Sequence, residues 1–333
     1  MAEGLSGRGL DLAARTPAQR PRFDSRPLGE RLTSSVVPVV FGLDLVLRLY
    51  LAITHPSKML GDASVYYRAT EAWIHGGDPW LAHTDFDMTF AAPPPALLLN
   101  LPLIPFGETA AMVFWPIAGL AGAILALRHY ALPWWWLAFP PFVEAMTAGS
   151  PDLALLGALV LGGGALTAIA KPYAIPAMLG EARWRALLAA VAVGIGTAPI
   201  LPWARFISDW PQISQALTTQ SIGIQLSPVM ELVVLVALVS LGRLGVLMAT
   251  PALWPKAQMH YAMFSLEAAR SSRILTLAMS FPATAFIGVL VVATISQVKR
   301  FVPGKPPGFD NGAAASPSIL ELASTSPEPP PRG

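Results

Sequence analysis

The chain of 333 residues has no cysteine. That excludes disulfides, thiolate metal sites and cysteine nucleophiles. Charge is scarce as well: 13% of residues are Asp, Glu, Lys or Arg, about half of what a soluble domain carries. No Walker loop, GxGxxG strand–helix unit, HExxH or GxSxG occurs. The five histidines are scattered, so neither a metal nor a cofactor is expected. No internal repeat is visible. What the chain has in quantity is apolar surface, with 54% hydrophobic residues and a mean hydropathy of +0.54. Composition therefore predicts an all-α, polytopic transmembrane helix bundle.

The net charge of +2 hides an asymmetry. Arg8, Arg15, Arg20, Arg22, Arg26 and Arg31 lie in residues 1–33, whereas Asp62, Glu71, Asp78, Asp85 and Asp87 outnumber Lys58 and Arg68 after the first apolar run. The positive-inside rule then places the N-terminus in the cytoplasm and residues 56–95 outside. The basic residues are not gathered into a face for nucleic acid. Residues 1–33 read as disordered, residues 34–296 as the membrane domain, and residues 297–333 as a disordered Pro/Ser-rich tail.

Within the outer loop, residues 61–80 read GDASVYYRATEAWIHGGDPW. Asp62 can cap an amphipathic helix from about Ala63 to His75, closed by Gly76 and Gly77. Asp62, Tyr66, Ala69 and Trp73 then share one face. Asp78-Pro79 starts a turn that presents Trp80.

The first expected span, residues 35–54, holds Asp44 and Arg48 at i, i+4, either as an internal ion pair or as a polar contact within the bundle. Three prolines at 93–95 give a rigid lead-in, and the apolar stretch 96–106 is too short to span. Further spans are expected at 109–127, 133–148, 186–203, 229–248 and 274–295, with a polar loop at 204–227. The run Trp134-Trp135-Trp136 fits an interfacial aromatic belt. Residues 150–170 are either one span, which makes Lys171 cytoplasmic, or a re-entrant hairpin broken at Gly162-Gly163-Gly164, which returns Lys171 outside. Residues 251–267 read as a second broken helix. The count is about eight membrane elements, some short.

In order, the motifs resemble the polyprenyl-phosphate-sugar-dependent GT-C membrane glycosyltransferases, in particular glycosyltransferase family 87. The family pattern D-x-x-x-Y-Y-x-A…G-x-x-P-Y…F-x-Y-x-P is met by Asp62, Tyr66, Tyr67, Ala69, Gly77, Pro79, Phe90 and Pro93, with Trp80 for the last Tyr of the middle block. Phe139-Pro140-Pro141, Lys171-Pro172, Arg183-Trp184-Arg185, and Pro255 with His260-Tyr261 follow as in the family. Ser150 and Asp152 stand where it has Gln and Asn after the glycine, and the segment before Lys171 is shorter. The similarity covers roughly residues 35–295 and is carried by motif order.

The resemblance implies an inverting transfer of a hexose, most plausibly mannose, from a polyprenyl phosphate on the outer face of a plasma membrane. The acceptor is a lipid or cell-envelope glycan. Asp62 matches the base that takes the acceptor's proton. Lys171, Arg68 and His260 are the candidates to stabilise the leaving lipid phosphate. Tyr66, Tyr67, Trp73, Trp80, Glu144 and Asp152 complete the expected substrate-binding set. Bland readings stand beside these: Asp62 as a helix cap, Lys171 as a snorkelling lysine, His260 as a packed interfacial histidine, Trp73 and Trp80 as belt residues. The rival functions are a lipid or small-solute transporter and a catalytically degenerate assembly subunit.

Overall fold

Apolar runs that look continuous in the sequence break in space wherever Gly or Pro falls inside them. The computed structural model describes residues 28–85, 88–219, 226–254 and 258–301, and every regular element among them is helical. One isolated antiparallel bridge joins His83 to Thr89. Helix α1 (Leu28–Thr54) begins before the expected span and takes in residues 28–33, which were expected to be disordered. Residues 1–27, Asp87 and Pro255 lie outside the described residues, as does the tail beyond Phe301.

Helix α2 (Gly61–Ile74) starts earlier than expected, and its N-cap is Leu60 in the left-handed region at φ 60°. Asp62 sits inside the first turn and makes no capping bond, which corrects the capping reading. The other end is as expected: Gly76 turns at φ +77°, and the Gly77 N–H donates to the Ala72 carbonyl at 2.7 Å. The lead-in after Pro93 forms two 3-10 helices, Pro94–Leu99 and Leu101–Phe106. Helix α3 (Glu108–His129) then runs unbroken for 22 residues, or about 33 Å.

Residues 133–148 are not one helix. A 3-10 helix, Trp134–Ala138, is separated at Phe139 from α4 (Pro140–Ala148), because two prolines restart the backbone ladder. Trp134 is exposed, but Trp136 is buried against Phe41 and Phe139, so the tryptophan run is only partly a belt.

The stretch 150–170 resolves into a hairpin. Helix α5 (Asp152–Val160) ends at Gly162, which adopts φ +100°, and α6 (Gly164–Ala170) returns beside it. The Thr167 hydroxyl donates across to the Leu155 carbonyl at 2.8 Å. Helix α5 packs on α3 so closely that a Cβ on Gly157 would sit 2.5 Å from the Gly122 Cα.

Helix α7 (Ile175–Gly180) and α8 (Trp184–Thr197) follow, and α8 is shorter than the span expected at 186–203. The expected polar loop is helical over α9 (Trp203–Ser208) and α10 (Trp210–Thr219). The span expected at 229–248 breaks at Gly242, φ +56°, into α11 (Pro228–Ser240) and α12 (Arg243–Leu253). A 3-10 helix, Met259–Ser265, leads into α13 (Leu266–Ser271). The last expected span divides into α14 (Arg273–Met279) and α15 (Ala285–Phe301).

Two helices, Ser35–Thr54 within α1 and α3, are long and apolar enough to cross a membrane. Helices α8, α11, α12 and most of α15 are apolar but shorter. The largest buried cluster joins α1, α3–α6, α11, α12 and the 3-10 helix Met259–Ser265 through Phe41, Phe139, Phe142, Leu156, Met248 and Phe264.

Candidate active site

The hairpin determines the site. Asp152 opens α5 and Lys171 follows α6, so the reversal at Gly162 brings them together, with Nζ 2.7 Å from Oδ1. Both are buried, at 0% and 3% exposure. This favours the hairpin alternative for Lys171. The first turn of α2 contributes Asp62, α4 contributes Glu144, and the 3-10 helix Met259–Ser265 contributes His260.

His260 stands between the three carboxylates. Its Nε2 lies 3.3 Å from Asp152 Oδ2 and 3.9 Å from Asp62 Oδ2, and its Nδ1 lies 3.7 Å from Glu144 Oε2. None of these is aligned as a hydrogen bond, so the ring is held by charge. Burial alone would drive its proton off, but Asp152 and Glu144 hold it, and the pKa is pushed up to about 10. The Tyr173 hydroxyl donates to Asp152 Oδ2, and the Tyr173 ring stacks on Tyr261 at 3.7 Å. The Lys171 ammonium lies 4.7 Å from the centre of the Tyr66 ring. Asp152 is thus the shared counter-ion of Lys171 and His260.

Asp62 has no such close cation. Burial pushes its carboxyl above the ordinary aspartate range, while His260 and Lys171 pull it back. A carboxyl in that state is a better proton acceptor than a solvated one.

Asp62, Tyr66, Lys171, Tyr173 and Tyr261 line one region of a cavity of about 750 Å³. The rest of its wall is mostly apolar, with Thr89 and Gln258 as polar exceptions. Ala168–Ala170 of α6, Trp184, Leu188 and Val191 of α8, and Trp203, Phe206 and Trp210 of α9 and α10 all line it. The cavity therefore pairs a carboxylate and an ammonium with a long greasy trough. Among the described residues no three His, Asp or Glu side chains are placed to hold a metal. The ammonium of Lys171 and the imidazole of His260 occupy the space between the carboxylates.

Five residues of the expected set, Asp62, Tyr66, Lys171, Asp152 and His260, meet here, and Glu144 joins through His260. Four do not. Arg68 points away from the cavity: its Nε lies 3.0 Å from Glu108, and its Nη1 reaches Asp85 at 2.9 Å and the His83 carbonyl at 3.1 Å. It ties the outer loop to α3. Tyr67 packs beside Trp115 and donates to the Ile104 carbonyl at 3.3 Å. Trp80 is buried, donates to the Ala92 carbonyl at 3.1 Å and packs on Phe206. Trp73 packs on the same cluster. All four are engaged in packing or hydrogen bonds with neighbouring elements and do not line the cavity. Of the two readings of Asp44 and Arg48, the fold shows the internal ion pair, at 2.8 Å.

Tyr173 and Tyr261 went unassigned at the sequence level. Their signal was adjacency to Lys171-Pro172 and to His260, which is weak without the fold.

No family model matches the chain, and no curated protein or solved structure matches it.

Proposed function

We propose that the chain is an integral membrane glycosyltransferase of GT-C type. It takes a hexose, mannose by the resemblance, from a polyprenyl phosphate and passes it to a lipid or cell-envelope glycan. The bundle is polytopic and lies in the plasma membrane, with the Asp62 end outside and the N-terminus in the cytoplasm. One observation carries the reading: the buried carboxylate of Asp62 and the ammonium of Lys171 share a cavity whose remaining wall is mostly apolar. A lipid donor needs a trough for its tail, a cation for its phosphate and a base for the acceptor.

In the proposed step the acceptor hydroxyl attacks the anomeric carbon of the donor sugar. Its proton passes to Asp62, and the bond from that carbon to the phosphate oxygen breaks. The electron pair leaves on the lipid phosphate. Lys171 faces that charge while Asp152 holds its ammonium in place. His260 keeps a positive charge within 3.9 Å of Asp62 and so favours the ionised base.

The test is transfer of label from a radiolabelled polyprenyl-phosphate hexose to membrane lipids by purified protein. Asp62→Asn should keep the fold and lower transfer by about a hundredfold or more. Because the base works deprotonated and its pKa is raised, transfer should fall as pH drops through that raised value. Wild-type turnover in Asp62→Asn would end the assignment. Passage of labelled lipid between leaflets with no new glycolipid would favour a transporter.

A further inference from the structure

The end of the bundle opposite Asp62 is organised around Tyr130. Its hydroxyl donates to Glu181 at 2.6 Å, and its carbonyl accepts from Arg270 Nη1 at 3.0 Å. Glu181 also takes Arg183 Nε at 2.5 Å, and Arg183 Nη1 donates to the Leu159 carbonyl at the far end of α5. Arg243 donates to the Gly180 carbonyl and pairs with Glu267, both at 2.7 Å. These contacts join α3, α5, the α7–α8 turn, α12 and α13 into one cap.

The cap is not neutral. Its two acids, Glu181 and Glu267, are consumed by Arg183 and Arg243. Arg270 spends one donor on Tyr130 and is otherwise exposed. Arg128, two residues before Tyr130, and Arg185, two after Arg183, are exposed and make no ion pair among the described residues. A second observation accompanies them: Trp134, four residues past Tyr130, and Trp184, next to Arg185 in the chain, are exposed at 81% and 59%. Indole rings favour the headgroup depth, and guanidinium pairs with phosphate in a two-pronged geometry.

We infer that this rim is a binding site for anionic phospholipid headgroups, formed by Arg128, Arg185 and Arg270, with exposed Trp134 and Trp184 on the adjoining segments. It rests on the bundle lying in a membrane and not on the transferase reading. Lipid phosphate fits better than a soluble anion because exposed indoles on the adjoining segments add apolar surface at the same end of the bundle.

The experiment places the full chain in phosphatidylcholine nanodiscs with and without phosphatidylglycerol. Thermal unfolding and retained lipid, the latter by native mass spectrometry, are the readouts. Phosphatidylglycerol should raise the unfolding temperature by on the order of 4 °C, and high salt should remove the gain. Arg128→Gln with Arg185→Gln should lose at least about half of it. Arg128→Lys with Arg185→Lys keeps the charge and should retain most, which separates binding from a folding defect. An equal shift in pure phosphatidylcholine, or an undiminished one in the Gln pair, overturns the inference. Reproduction of the shift by inorganic phosphate alone overturns it in favour of a soluble anion.

Discussion

Helix α3 and the α5–α6 hairpin are made of the same small and apolar residues and lie directly against each other. One runs straight for 22 residues. The other takes nine residues, turns at two glycines, and comes back in seven. A straight helix delivers its polar ends to opposite faces of the bundle. A hairpin delivers both to the same face, and that is how Asp152 comes to hold Lys171. The break is what makes a site possible, since it puts a carboxylate and an ammonium side by side within a largely apolar bundle.

The comparison can be broken most severely at that pair. Asp152→Asn leaves Lys171 and His260 buried without their shared counter-ion. It should cost about 3–5 kcal/mol of stability, read as a loss of folded yield and a lower unfolding temperature. Asp152→Asn combined with Lys171→Met should recover part of the loss. No recovery would mean that hydration, not pairing, carries these charges.

A smaller effect tests the contact between the two regions. Gly157→Ala pushes a methyl group onto the Gly122 backbone and should cost about 1–3 kcal/mol in detergent unfolding. Gly196→Ala is the control. That glycine lies in α8 with nothing within 4 Å, and alanine there should be neutral or stabilise by up to about 1 kcal/mol. Equal losses at both positions would show that close approach of α3 and α5 does not matter.

The smallest effect sets a surface pair beside the buried one. Arg205 of α9 meets Asp78 at 2.9 Å and is half exposed. Arg205→Gln should change stability by less than about 1 kcal/mol. A loss as large as that of Asp152→Asn would mean that α9 seals the cavity through this contact.

Much of the site was legible as residue types. Asp62, Lys171 and His260 stood out because they fall on the motifs that resemble the glycosyltransferase pattern, and Asp152 because it departs from that pattern after the glycine. Arg68 stood out as a cation of the same loop, and in the fold it turns away from the cavity. Its partners, Glu108 and Asp85, are 40 and 17 residues away, and only folding shows that they claim it. Trp80 and Trp73 misled similarly: an aromatic in a polar loop reads as a platform until the helix over it, α9, is seen. Residues 204–208 of that helix read as loop because six residues are too few to show a helical period.

Composition, with apolar runs long enough for helices, pointed to a helical chain rich enough in apolar residues to bury or span, since a helix satisfies its backbone within one segment. The motif at Gly76 and Gly77 determined where α2 ends, because left-handed backbone favours glycine. The sequence could not choose between a through-going span and a hairpin at residues 150–170. A glycine triplet permits reversal without requiring it. Tertiary packing decided, because returning at Gly162 buries α6 against α8 and lets Lys171 meet Asp152. An ammonium left alone in that interior would cost several kcal/mol more than a paired one, by a rough estimate, and this difference exceeds any local preference of the turn.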